Sequence, residues 1–154
     1  MADFVRFTVY GKPAQKGSKK AFAIPGKNGG KPTARMLDDN DERKTHWHAA
    51  VADAAARAMA GRAPFKGPVR FIATFVFSRA ASHFTKKTGK RSKKYLERHT
   101  QTPDLDKLMR LVGDAVTGIC YADDRQIFDL TVTREWADDQ NGSSRAEILI
   151  EEAD

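Results

Sequence analysis

The stretch from Val69 to Phe77 constrains the fold most. It reads Val-Arg-Phe-Ile-Ala-Thr-Phe-Val-Phe, apolar on both faces and rich in β-branched and aromatic residues. A strand with one wet face alternates apolar and polar side chains, whereas this run is apolar at both parities, as a central strand is. The rest of the chain must therefore supply flanking strands and covering helices.

Phe4 to Tyr10 alternates, with Val5, Phe7 and Val9 on one face, and Gly11 and Pro13 break it. Two more strands are predicted, from about Gln126 to Trp136 and from Ser144 to Ile150; the Asn141-Gly142 pair between them is a hairpin signal. One helix is predicted from about Asp41 to Ala60, where Trp47, Val51, Ala54, Ala55 and Ala58 recur at helical spacing, with Asp39 or Asn40 as cap and Gly61 as stop. A second runs from Asp104 to Thr117 and stops at Gly118. Leu105, Leu108, Met109, Val112, Ala115 and Val116 share one arc of it, and Asp106, Lys107, Arg110, Gly113, Asp114 and Thr117 the other. The order β, basic loop, α, β, basic loop, α, β, β predicts one α/β domain of the α+β type over residues 1–154. It would hold a mixed sheet of about four strands with both main helices packed on it.

Charge divides the chain. Residues 1–99 hold 22 Lys+Arg against 7 Asp+Glu, and residues 100–154 hold 5 against 13, within a total of +7. The basic residues gather in two predicted loops, at about 11–35 and 79–100. The first includes Lys12, Lys16, Lys19 and Lys20; the second includes Lys86 and Lys87, with a short helix expected around Lys93 to Arg98. A basic body with one acidic segment suits a polyanion held by the former and a cation held by the latter. The single cysteine, Cys120, excludes an intramolecular disulfide and reads as a buried filler. No apolar run approaches the roughly 18 residues of a membrane span, and no leader pattern opens the chain, so a cytoplasmic protein is expected. His46 and His48 point about 200° apart on a helix and make no metal pair. His83 and His99 lie among lysines and read as solvated.

The chemistry-bearing block is Thr102-Pro103-Asp104-Leu105-Asp106-Lys107 followed by Tyr121-Ala122-Asp123-Asp124-Arg125-Gln126. Asp104 and Asp106 converge only where the backbone is not yet helical, and Pro103 keeps it so. Asp123 and Asp124 point to opposite sides in extended chain, so one of them would join the site. The amphipathic helix is expected to bring the two acidic segments near each other. Three carboxylates at one spot need a hard cation, Mg²⁺ or Mn²⁺, whose chemistry suits phosphodiester hydrolysis. Arg110 or Lys107 would stabilise charge on the phosphate. The plainer alternatives are that Asp104 caps the helix, that Asp106 pairs with Arg110, and that Asp123-Asp124 are turn acids.

This block resembles the RusA family of Holliday junction resolvases. The matching residues are Pro103-Asp104-Leu105-Asp106, then Asp114-Ala115-Val116-x-Gly118, then Asp123-Asp124-Arg125-Gln126, and Gly11-x-Pro13 is similar to the family's N-terminal region. The resemblance implies a homodimeric, Mg²⁺- or Mn²⁺-dependent endodeoxyribonuclease that nicks two opposed strands of a four-way junction. It also implies a bacterial or phage-encoded, nucleoid-associated enzyme of recombination and repair. It carries Asp104, Asp106 and Asp124 over as metal ligands, with Asp123 the alternative to Asp124, and leaves Asp114 a structural role. Lys107 stands where the family often has Asn, and Arg110 stands where a catalytic Lys is expected; Arg keeps the charge but does not readily give up a proton. Two other readings remain: a DNA-binding protein with no catalysis, and a nuclease for flaps, other branched substrates or RNA.

Overall fold

The computed structural model describes residues 2–17, 19–24, 33–38, 41–138 and 142–154, with backbone alone for 19–24, 33–38 and 41. Eight residues after a turn at Gly61 the chain enters the strand that organises everything else. In chain order the elements are β1 (Phe4–Tyr10), β2 (Lys19–Ile24), β3 (Thr33–Asp38), α1 (Asp41–Met59), β4 (Val69–Phe77), α2 (Leu105–Val116), β5 (Ile127–Trp136) and β6 (Arg145–Glu152). The main sheet has the order β1-β6-β4-β5, and β4 lies between two partners as its composition predicts. It runs antiparallel to β6 and parallel to β5. Phe71, Ala73 and Phe75 of β4 are fully buried, as are Ala146 and Ile150 of β6 beside them.

Both helices cover one face of this sheet. Trp47, Val51, Ala55 and Met59 of α1 pack over β1, and Leu108, Leu111, Val112, Ala115 and Val116 of α2 complete the same core beside β5. Each fully buried side chain of this kind stabilises the fold by about 1.5–3 kcal/mol, so the apolar arc of α2 fixes its two polar ends in space. Gly118, at φ +85°, ends α2 in the conformation that a side chain disfavours. Gly11, at φ +130° and with Trp47 carbon 3.5 Å from where a Cβ would stand, turns the chain from β1 onto α2.

Three expectations change. The basic segment 11–35 is not all loop: β2 lies inside it and pairs antiparallel with β3, which begins there. The caps Asp39 and Asn40 lie outside the described residues, as does Asn141. The Asn141-Gly142 signal does not join a hairpin, because β5 and β6 pair with opposite sides of β4 and not with each other. A turn dipeptide specifies a reversal of the chain, while the partner is chosen by which edge of β4 the returning strand can bury against. Residues 93–98 form turns and bends rather than a helix.

Candidate active site

At its N-terminal end α2 is held by neighbours that leave its acids uncommitted. Asp104 occupies the capping position with extended backbone, at φ −74° and ψ 137°, yet its carboxylate accepts no capping hydrogen bond. Its backbone N–H instead donates to Gln15 Oε1 at 2.5 Å. Arg134 of β5 donates through Nη1 to the carbonyl of Gln101 at 2.9 Å and also to that of Pro103. The loop that presents Asp104 is therefore clamped from two elements. The Asp104 carboxylate lies 3.5 Å from Lys107 Nζ, and Asp106 lies 3.8 Å from Arg110. Both acids are more than half exposed, so these pairs contribute little to stability. The cap reading of Asp104 fails, while the Asp106–Arg110 pair is present.

The other acidic segment is built differently. Asp123 caps a short 3-10 turn, Asp124–Gln126, in a reciprocal box: its Oδ1 accepts from the Arg125 N–H at 2.8 Å, and Gln126 Oε1 accepts from the Asp123 N–H at 2.8 Å. Hydrogen bonds from the Arg125 side chain and backbone hold the Asp123 carboxyl down to about 2. Gln126 Nε2 donates to the carbonyls of Phe65 and Gly67, which fastens the turn to the loop before β4. Asp124 takes no part in this box, and it lines an open cavity of about 330 Å³ with Asp114, Thr117, Ala122 and Asp123. Sequence reasoning gave Asp114 a structural role. It does pair with Lys16 at 3.0 Å, but it also faces the same cavity as Asp124. Its place on the polar arc of α2 was the available signal.

The two acidic segments do not meet within one chain. They lie beyond opposite ends of α2, whose 12 residues span about 18 Å at 1.5 Å each. Among the described residues no group of three or more His, Cys, Asp or Glu is placed to hold a metal ion. The donors suit a hard divalent cation in kind, being exposed carboxylates, but one chain does not gather three of them at one point.

The basic residues fall into two settings. The segment after β1 lies along α2: Lys16 N–H donates to the Lys107 carbonyl at 3.1 Å, and Lys12 lines a small cavity with Arg43, Thr102 and Pro103. The side chains of Lys19 and Lys20 lie outside those described. Lys86 and Lys87 are exposed in a turn closed by Thr85 and Lys90. Beneath that turn His83 and His99 are buried, contrary to the solvated reading. His99 stacks on Trp136 at 4.3 Å, and His83 meets the same ring edge-on at 4.8 Å. Arg79 joins them, 4.0 Å from the Tyr95 ring centre and bonded to Asp138 at 2.7 and 2.9 Å. Burial and nearby Arg134 lower the His99 pKa. Burial also pushes the Cys120 thiol up to about 12, as befits a core filler. No helix among the described residues is long and apolar enough to cross a membrane.

An uncharacterized protein of Bacillus subtilis (strain 168), YqaN, is 26% identical over 151 residues, which covers 97% of either chain. The sequence pattern of the family described as endodeoxyribonuclease RusA matches residues 25–151, a range that holds the whole acidic block and leaves Gly11-x-Pro13 outside. Most of the chain is thereby matched, and it belongs to the RusA endodeoxyribonuclease family.

Proposed function

We propose that this chain resolves four-way DNA junctions by paired phosphodiester hydrolysis, with Mg²⁺ or Mn²⁺ held by Asp104, Asp106 and Asp124. The observation that carries the reading is the state of Asp104. A carboxylate at a helix N-terminus ordinarily accepts the first free N–H groups, and here it does not. It is exposed, next to Asp106, on a loop clamped by Gln15 and Arg134. Such an arrangement holds ligands in place while leaving their oxygens open.

A bound divalent cation supplies an activated water and neutralises charge on the scissile phosphate. Arg110, one turn beyond Asp106, stabilises negative charge on the phosphate oxygens through its planar donors. It acts by charge, and Lys107 beside Asp104 is the residue able to move a proton. Lys12, Lys16, Lys86 and Lys87, with Lys19 and Lys20, grip the DNA backbone. A homodimer acting on DNA in the cytoplasm completes the reading, since symmetric nicks in two strands need two sites related by a two-fold axis.

The absence of a three-carboxylate group within one chain, among the described residues, favours a second reading, in which the protein binds DNA without cutting it. Incubating a four-way junction, a flap, a plain duplex and an RNA hairpin side by side, with and without Mg²⁺, separates the two. The nuclease reading expects paired nicks in the junction that require the metal. Salt-dependent binding with no product on any substrate would sink it.

A further inference from the structure

The segment after β1 ties Asp104 to a cleft between the two helices. Its Gln15 holds the Asp104 N–H, and the next residue, Lys16, donates its own N–H to the Lys107 carbonyl of α2. From there the Lys16 side chain reaches along α2 to Asp114, at 3.0 Å. It lies in an open cavity of about 330 Å³ that is lined also by Lys44, Thr45 and His48 of α1 and by Leu111 of α2. Lys44 and His48 stand four apart and so share one face of α1, with Thr45 beside Lys44. Leu111, at 2% exposure, belongs to the core and gives the cavity an apolar floor. Ammonium groups, an imidazole and a hydroxyl thus surround one space. The single acid among its lining residues, Asp114, also lines the cavity of Asp124.

We infer that this cleft is a subsite for one backbone phosphate of the DNA strand that runs past the acids, and that Asp114 holds the place of that phosphate on Lys16 while DNA is absent. The inference deepens the DNA-binding part of the proposed function and rests on it, but not on the hydrolysis. The donors suit the non-bridging oxygens of a phosphodiester, and the apolar floor strengthens their field. The Lys16–Asp114 pair is easily exchanged, because its side chains are 49% and 56% exposed and so open an ion pair contributes little. A phosphodiester brings the same charge as the carboxylate it displaces, with Lys44, Thr45 and His48 around it as further donors. The cleft also lies along the stretch of α2 that separates the two acidic segments. A phosphate fixed there sets the register of the strand at either acid, as backbone contacts do in general.

Junction binding by the full chain, titrated without metal over a range of salt, tests the subsite. Lys16→Met and Lys44→Met should each weaken binding about fivefold and lower the slope of log Kd against log salt by about 1. Arg57→Met makes the same charge change on α1, at an exposed pair with Asp53 outside the cavity; it should stay within about twofold with the slope unchanged. Asp114→Asn should tighten binding about threefold, because it removes the competitor for Lys16, whereas an ion pair that served only the fold would leave binding equal or weaker. A Lys16→Met slope equal to that of Arg57→Met, or no tightening in Asp114→Asn, overturns the subsite. Neutral methylphosphonates placed singly along the junction strands should then find a position that weakens the wild type but not Lys16→Met. If every position weakens both alike, the cleft holds no particular phosphate and the proposal falls. A wild type that binds the junction but never nicks it overturns the nuclease reading and leaves these binding results to judge the subsite; one that binds no junction overturns both.

Discussion

At the N-terminal end of α2 the chain spends other residues on holding the backbone, and at the C-terminal end it spends an aspartate. Gln15 and Arg134 fix the loop before α2, so Asp104 and Asp106 stay exposed. After α2, Asp114, Asp123 and Asp124 all line the open cavity, but Asp123 is consumed by its own cap. The lesson is that two neighbouring acids of one motif can have unlike roles, and that hydrogen-bond accounting tells them apart. An acid that already satisfies backbone donors is a fastener; one that does not is available to a ligand.

That contrast can be broken from either end. The largest effect expected is from Asp106→Asn, which should lower junction cleavage by at least about 100-fold while leaving metal-free junction binding within about twofold, as a gel-shift titration would show. Cleavage that survives the change removes Asp106 from the site. Arg134→Met touches the clamp rather than the acids. It should lower cleavage by about 10–100-fold and raise the Mg²⁺ concentration needed for half-maximal rate, with the salt dependence of binding unchanged. A shallower salt slope would mean that Arg134 contacts DNA instead.

Stability changes should sharpen the comparison at the other end. Gln126→Ala removes four hydrogen bonds that tie the Asp123 turn to the body. It should cost about 2 kcal/mol and lower Tm by about 6 °C in a thermal melt. A Tm within a degree of wild type would show the turn to be held elsewhere. The smallest effect concerns His99. Its folded pKa lies below the unfolded value of about 6.5, so the unfolded chain binds the extra proton. Its contribution is complete above that value and is lost as pH falls toward the folded pKa. Tm should decline between about pH 7 and pH 5.5, and His99→Phe, which keeps a ring on Trp136, should flatten that decline. An unaltered slope places the titration on another group.

Much of this was legible in the residues because short-range rules govern it. β4 announced itself by being apolar at both parities, and α2 by its apolar arc, to which the structure adds Leu111. The acidic block was readable as a motif. What escaped depends on distant partners. The β2–β3 pairing is hidden because glycines and lysines dominate the segment around the short apolar run Ala21-Phe22-Ala23-Ile24. His83 and His99 looked solvated among lysines, since the ring that buries them, Trp136, lies 37 or more positions away. Asp123 and Asp124 were indistinguishable by spacing, and only the cap geometry separates them. The expected meeting of both acidic segments within one chain failed for a simple reason: a helix that pins both of its ends also keeps them a helix length apart.

The most direct test sets these two neighbours against each other. Asp123→Asn and Asp124→Asn change adjacent residues by the same chemistry, and each is assayed for junction cleavage in Mg²⁺ and for junction binding without it. The account predicts that Asp124→Asn abolishes cleavage with binding intact, whereas Asp123→Asn keeps cleavage within a few-fold of wild type and shows its effect in Tm. Equal loss in both, or loss in Asp123→Asn alone, would contradict it.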